Sequence, residues 1–348
     1  MHLRPVQFVD SSAAHEDGTI ARLAGGMQWF AAYEVLDGGR RFTVPVAEVE
    51  QMGARAATLH ARITASRPAW QLGSRTLRFD QPQVAGILNV TPDSFSDGGA
   101  THDDPAAAAA AGVTMAAAGA ALVDVGGEST RPGAALVWEE DEARRVTPVV
   151  ERLSAAGVLV SVDTRKAAVM DAALTAGAAI VNDVAALLWD DRALDVVART
   201  GAPVILMHSP DPKSGPHGGT GYANVVTDVF DWLEARVDAV VASGVDRARI
   251  MVDPGIGFGK SLSDNLALLN NLAIFHGLGC PVMLGASRKR LIGALSNEAP
   301  VAERLGGSVA LALKGAEAGV QLLRVHDVAE TVQALRVWRG LRDRALVG

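Results

Sequence analysis

Val84-Ala85-Gly86-Ile87-Leu88-Asn89-Val90-Thr91-Pro92-Asp93-Ser94-Phe95-Ser96-Asp97-Gly98-Gly99 is the stretch on which the reading of the fold turns. Its apolar run from Val84 to Val90, interrupted by one amide at Asn89, predicts a buried strand. A loop rich in Ser, Asp and Gly follows. Asp104 and Pro105 then open an alanine-rich helix, an N-cap residue followed by proline at the first helical position. An amide buried near a strand end costs free energy unless something bonds to it. The same order of apolar strand, polar end, loop and helix recurs down the chain.

Strand patterns fall at 84–90, 121–127, 158–164, 178–184, 203–208, 249–254, 281–287 and 321–327. Helical patterns lie between them, clearest at 225–243, 262–276, 303–318 and 329–342. Near-continuous apolar strands alternating with helices predict a parallel sheet covered by helices. Eight such pairs match the scale of a (β/α)₈ TIM barrel. An open doubly wound sheet usually closes with fewer pairs and carries a Gly-rich first turn, so the barrel is the better reading. Residues 1–71 have a different texture, with strands expected at 29–36 and 41–46, a helix at 47–65 and no βα alternation. The chain therefore divides into a small N-terminal α+β extension, 1–71, and a barrel, 72–348, with a break near Arg67-Pro68. Residues 72–79 predict a short hairpin leading into the first barrel strand.

Hydrophobic residues make up 49% of the chain and charged ones 20%, the balance of a folded soluble protein. A net charge of −7 leaves no overall electrostatic footprint for nucleic acid. One cysteine, Cys280, excludes an internal disulfide framework and a Cys-rich zinc site, and fits a reducing compartment. Met1-His2-Leu3-Arg4-Pro5 lacks the apolar core of a signal peptide, and no uncharged run is long enough to span a membrane. The expectation is a cytoplasmic protein with neither nucleic acid nor membrane as partner.

A barrel active site lies at the C-terminal ends of the strands. Read in order, those ends carry Asn89; Glu128, Thr130 and Arg131; Asp163; Asn182 and Asp183; His208; Asp253; Ser287, Arg288 and Lys289; Arg324, His326 and Asp327. One polar strand end is ordinarily a satisfied structural group. Eight converging on one mouth make a site the better reading. Asp163, Asn182 and Asp253 suit the edge of a planar heterocycle bearing NH and amidine groups. Lys289, Arg324 and His326 lie beside Asn89 once the barrel closes, in the region that commonly holds phosphate. They suit a diphosphate with a hard cation such as Mg²⁺ bound by few protein ligands. Gly255-Ile256-Gly257-Phe258-Gly259-Lys260-Ser261 fails as a phosphate-binding P-loop because Pro254 stands where that pattern needs glycine. The segment from Gly126 to Gly133 lacks dinucleotide-binding spacing. Both read as tight βα turns, and segments 89–99 and 129–135 read as loops long enough to exclude water. His208, His326 and the carboxylates lack the dense spacing of a zinc site.

Gly86 to Gly99 and Asp124-Val125-Gly126-Gly127-Glu128-Ser129-Thr130-Arg131-Pro132-Gly133 resemble the two signature segments of the dihydropteroate synthase family. Ser161-Val162-Asp163-Thr164, Asn182-Asp183, Leu206-Met207-His208, Asp253-Pro254-Gly255, Ser287-Arg288-Lys289 and Arg324-Val325-His326-Asp327 match its further blocks in order. The resemblance implies an enzyme that joins 4-aminobenzoate to the hydroxymethyl carbon of a dihydropterin diphosphate, releasing pyrophosphate in folate synthesis. Asp163, Asn182, Asp253 and Lys289 would bind the pterin, and Asn89 would ligate Mg²⁺, with Asp97 joining it. Thr130, Arg324 and His326 would hold the diphosphate, while Phe95, Arg131 and Pro132 would shape the aminobenzoate pocket. Asp163, Asp253, Lys289, Arg324 and His326 would carry the chemistry, and late helices would form a homodimer. The chain departs from the commoner family pattern at residues 209–212, at Ile256 and at Arg290, and residues before about Leu72 have no counterpart in the typical enzyme. Two alternatives stand beside this reading. A corrinoid-partnered pterin-binding methyltransferase is disfavoured by the diphosphate-suited Lys289, Arg324 and His326. A non-catalytic pterin-binding homologue is disfavoured by the full set of strand-end polar residues.

Overall fold

The structure, a computed structural model, describes residues 1–10, 15–91, 104–130, 134–213, 217 and 221–347, with backbone alone for 344–347. The chain opens with strands β1 (His2–Val9), β2 (Ala21–Arg22), β3 (Trp29–Asp37) and β4 (Arg40–Pro45), then helix α1 (Ala54–Thr64). Central β3 pairs antiparallel with β1 on one side and with β2 and β4 on the other. The helix expected over 47–65 is two pieces, a 3₁₀ segment Val46–Met52 and α1, parted at Gly53, whose φ of 109° lies where side-chain-bearing residues strain. A hairpin follows, β5 (Trp70–Leu72) and β6 (Arg75–Leu77).

The alternation then runs β7 (Gln83–Asn89), α2 (Pro105–Ala118), β8 (Leu122–Gly126), α3 (Glu139–Ala155), β9 (Val160–Asp163), α4 (Ala167–Thr175), β10 (Ile180–Asp183) and α5 (Ala193–Thr200). It continues with β11 (Val204–Met207), α6 (Val225–Ala242), β12 (Ile250–Asp253), α7 (Leu262–Asn270), β13 (Met283–Leu284), α8 (Arg290–Leu295), α9 (Leu305–Glu317), β14 (Leu322–Val325) and α10 (Val328–Val347). The eight strands lie parallel in the order β12-β11-β10-β9-β8-β7-β14-β13. A parallel bridge from Val252 to Val282 brings the two ends of that row together. This is the expected TIM barrel.

Several strands stop short of the expected spans because rim residues leave the ladder for the loops. After Leu284 the chain turns through Gly285 to Arg288, which has a φ of 55°. Helix 262–276 ends at Asn270, and Leu272–Leu278 tightens into a 3₁₀ segment after the Asn271 amide bonds back to the Ala267 carbonyl at 2.7 Å. Asp104 caps α2 by accepting from the Ala106 and Ala107 amides, with Pro105 at the first position.

Side chains on a strand alternate between faces, so one parity of each barrel strand points inward. At the N-terminal end, inward Ala85, Leu122, Leu159, Ile180, Ile205, Met251, Met283 and Leu322 pack on Trp70, Leu77 and Phe79 of the hairpin region. The hairpin is the barrel's apolar floor, held by the Trp70 indole donating to the Ala248 carbonyl at 2.6 Å.

The extension packs on the same side. Leu3, Phe30, Tyr33, Val35, Leu59 and Ile63 form one continuous core with Phe230 of α6 and with Phe275 and Leu278. Polar ties reinforce the seam. Arg55 and Arg62 both reach Glu234 of α6 at 2.7 Å. Buried Arg67 donates to the carbonyls of Cys280 and His276. Arg342 of α10 binds Asp10 and the Val9 and Met27 carbonyls.

Candidate active site

Two residues above the apolar floor, the inward parity delivers Ile87, Asp124, Ser161, Asn182, Met207, Asp253, Gly285 and Arg324. Two further on come Asn89, Gly126, Asp163 and His326. Thus an apolar base changes, within one side-chain layer, into a polar chamber. Above it opens a cavity of about 1120 Å³ whose wall includes Asn89, Thr130, Asp163, Lys289, Arg324 and His326. Asn182 and Asp253 lie one level deeper, 2% and 3% exposed.

Asp124 sits at the centre of the chamber, 1% exposed. It accepts from the Ser161 hydroxyl at 2.5 Å, from Asn182 Nδ2 at 3.0 Å and from Arg324 Nε at 2.5 Å. The Arg324 guanidinium turns its other edge to Asp163, 2.6 Å away. Arg324 therefore bridges two carboxylates across the barrel. The sequence grouped it with Lys289 and His326 on a leaving-group flank, but in space it belongs equally to the acceptor flank. Burial alone would lower its pKa; Asp124 and Asp163 overcome that and raise it, keeping the charge. Burial raises the Asp163 carboxyl, with Asp124 adding to the effect and Arg324 opposing it. Asn182 Oδ1 is buried and has no hydrogen-bond partner among the described residues.

Asp253 accepts from the Gly255 amide at 2.7 Å. Burial pushes its carboxyl up to about 6, against the pull of that amide and of Lys289. Gly285 leaves open the space beside the second oxygen, since a Cβ there would stand 3.6 Å from Asp253 Oδ2. Lys289 stands directly before α8 and holds its ammonium 4.0 Å from the centre of the Phe258 ring, a cation–π contact. His326 Nδ1 and its backbone amide both meet Ser287 Oγ, at 3.1 and 3.2 Å, which aims the imidazole into the cavity wall. Arg288 pairs in a fork with Asp327.

The Thr130 carbonyl receives His217 Nε2 at 2.8 Å, and the His217 ring stacks on the same Phe258, with centroids 5.3 Å apart and 12° between planes. Glu128 is held by Lys166 at 2.7 Å and by Arg165 at 3.1 Å, and accepts from the Val137 amide. Lys166 also pairs with fully buried Glu142. These charges fix where the chain leaves β8. Among the described residues no group of three or more His, Cys, Asp or Glu is gathered to hold a metal. Asn89 is a single hard-oxygen donor on the cavity wall.

Of the residues expected from the sequence, Asn89, Thr130, Asp163, Asn182, Asp253, Lys289, Arg324 and His326 meet at one end of the barrel. Phe95, Asp97, Arg131 and Pro132 lie outside the described residues. Asp124 and Lys260 join the site without a strand-end position in the sequence. Asp124 is the one charge in the run Leu122-Val123-Asp124-Val125, two residues before a strand end, and that position was the available signal. Lys260 closes a glycine-rich turn, which carries no local signal of its partners.

Residues 85–326 match the family model described as pterin binding enzyme. Dihydropteroate synthase of Escherichia coli is 45% identical over 263 residues, covering 75% of this chain and 92% of that protein. The solved Xanthomonas albilineans dihydropteroate synthase with 4-aminobenzoic acid is 49% identical, with a TM-score of 0.74, over 80% of this chain and 99% of that one. The same organism's enzyme in complex with 7,8-dihydropteroate gives 47% and 0.71, over 79% and 99%.

Proposed function

The chain belongs to the pterin-binding enzymes and, within them, to the dihydropteroate synthases, and on that premise we propose how its residues divide the work. The reaction condenses 6-hydroxymethyl-7,8-dihydropterin diphosphate with 4-aminobenzoate, giving 7,8-dihydropteroate and pyrophosphate, a transferase step of folate synthesis. These relatives favour the synthase over the methyltransferase and the non-catalytic homologue.

One observation carries the placement of the pterin, the orphaned Asn182 Oδ1 at the chamber floor. A buried acceptor left unmade costs about 1–3 kcal/mol, a penalty that an arriving N–H donor removes. Asp253, beside the space left by Gly285, and Asp163 supply carboxylate oxygens at the same end of the barrel. Together they match a ring edge that presents N–H and amidine donors. Lys289 flanks the ring, and Thr130, His326 and Arg324 face the diphosphate. Phe95, Arg131 and Pro132 shape the aminobenzoate pocket, an assignment that rests on the family resemblance.

Asp163 and Asp253 stabilise positive charge as it develops on the pterin-bound carbon, while Lys289, Arg324 and His326 offset the negative charge of the departing diphosphate. The neutral aniline nitrogen attacks and sheds its proton, so the chain needs no strong nucleophile of its own. Mg²⁺ typically takes few protein oxygens and fills its shell with water and phosphate. Asn89, a single neutral oxygen donor in the wall, fits such a role, and bound Mg²⁺ would add charge neutralisation at the diphosphate.

The assembly is a homodimer built on the late helices, where α10 exposes Val337 and Leu341 at 62% and 69%. The location is cytoplasmic, in keeping with a lone buried cysteine and with no helix among the described residues long and apolar enough to cross a membrane. Residues 1–71 brace the barrel's N-terminal side through the core shared with α6. The deciding assay supplies dihydropterin diphosphate, 4-aminobenzoate and Mg²⁺, and follows pyrophosphate together with aminobenzoate-containing product. Equal amounts of both support the reading; pyrophosphate without coupled product rejects it.

A further inference from the structure

The Gly255–Lys260 turn ends in a lysine whose head group points back into the protein. Lys260 Nζ lies 2.9 Å from His208 Nδ1, 2.9 Å from the Gly255 carbonyl and 3.1 Å from the Phe258 carbonyl. An ammonium has three N–H donors and no acceptor. The His208 carbonyl stands farther off, at 3.4 Å, so the head group is enclosed by four acceptors, and burial pushes Lys260 itself down to about 7. The imidazole nitrogen then accepts, which places the His208 proton on Nε2; burial and the neighbouring ammonium push that histidine down to about 3, so it stays neutral. His208 directly follows the last residue of β11, whereas Gly255 and Phe258 follow β12. The turn crosses the end of β11 so closely that a Cβ at Gly255 would stand 2.0 Å from the His208 carbonyl. What the turn carries matters to the site. The Gly255 amide donates to Asp253 at 2.7 Å, and the Phe258 ring lies 4.0 Å beneath the Lys289 ammonium.

We infer that Lys260 is a positioning residue for pterin recognition: it ties the turn after β12 to the end of β11 and so holds Asp253 and Lys289 in register with the ring, without touching the diphosphate. The inference rests on the assignment of Asp253 and Lys289 to the pterin. A lysine closing a glycine-rich turn invites the opposite reading, a direct phosphate ligand, and the two predict different losses.

The test is calorimetric titration of the full chain with 6-hydroxymethylpterin, which carries no diphosphate, and separately with pyrophosphate plus Mg²⁺. Lys260→Met removes all three donors, and Lys260→Gln, which keeps two N–H groups, serves if the first variant does not fold. Loss of about 1.4 kcal/mol of hydrogen bonding in the tie corresponds to about tenfold in affinity. Lys260→Met should weaken 6-hydroxymethylpterin about tenfold, with Lys260→Gln between it and the parent, and leave pyrophosphate within about twofold. In turnover, the KM for dihydropterin diphosphate should rise while that for 4-aminobenzoate holds. A matching loss for pyrophosphate would make Lys260 a phosphate ligand and overturn the inference, as would unchanged pterin affinity. Asp253→Asn in the same titration separates the two levels. If it weakens pterin binding and the Lys260 variants do not, the tie alone fails; if it too leaves binding unchanged, the assignment of Asp253 fails.

Discussion

Replacing Asp124 measures what one buried charge contributes to the chamber. In Asp124→Asn the new amide oxygen can stay on the side of Arg324 Nε and Asn182 Nδ2, and the amide nitrogen can turn to Ser161, whose hydroxyl then accepts. Arg324 and Asn182 keep their acceptor; the charge is lost, and the buried Ser161 hydroxyl proton must turn to a new acceptor. Arg324 retains Asp163 at 2.6 Å, so the cost is that of one weakened charge-assisted bond and one displaced hydroxyl donor, about 1–3 kcal/mol. Asp124→Leu removes the acceptor altogether and strands the Arg324 and Asn182 donors beneath a 1%-exposed position, a loss of about 3–5 kcal/mol. The same two variants should lower kcat/KM for dihydropterin diphosphate by about tenfold and by about a hundredfold or more, because Arg324 loses the contact that aims it. Urea unfolding followed by circular dichroism, with steady-state kinetics on the same preparations, gives both quantities. A Leu variant within about 1 kcal/mol and about twofold of the parent would refute the claim that Asp124 organises the chamber.

Asp253 should impose a pH limb. Its carboxyl lies at about 6 against an ordinary 3.8, so pterin capture should weaken as pH falls through 6, and Asp253→Asn should show weak capture with no such limb. Between those two values the folded chain holds a proton that the unfolded chain has released, so this group's contribution to stability declines as pH rises towards 6. Asp253→Asn should accordingly match or exceed the parent in unfolding free energy at pH 8; a clear loss there would contradict burial as the cause of the shift. Deleting residues 1–67 uncovers Phe230, Phe275 and Leu278, and should lower the thermal midpoint and promote aggregation in size-exclusion chromatography. A monodisperse, equally stable truncation would show that the extension is dispensable to the barrel. Sulfonamides should raise the KM for 4-aminobenzoate without altering the maximal rate, and inhibition independent of aminobenzoate concentration would count against the shared pocket.

The barrel was legible because each of its strands is buried on both faces and therefore reads as a short apolar run that ends where polarity begins. Asn89, Asp163, Asn182 and Asp253 stood out for that reason. Their partners did not. Arg324 meets Asp163 and Asp124 only because β14 closes beside β7, a contact between residues 161 and 200 positions apart that no local pattern encodes. Asp124 lies inside its strand instead of at the end, where a search for strand ends passes over it. Lys260 sits in a turn whose glycines suggested conformation alone, and its role depends on how near that turn passes to His208. In the extension, β3 and β4 carry enough local pattern to be read, whereas β1, with Pro5 inside it and Gln7 at a φ of 55°, pairs with a strand about thirty positions away.

A crystal structure of the chain with 7,8-dihydropteroate tests the central claim most directly, because it asks whether the strand-end chamber receives the pterin. The account predicts a ring N–H within hydrogen-bond distance of Asn182 Oδ1, Asp253 Oδ2 bonded to the amidine edge and Lys289 beside the ring. A pterin seated elsewhere, or seated here with Asn182 Oδ1 still unpaired, would contradict it.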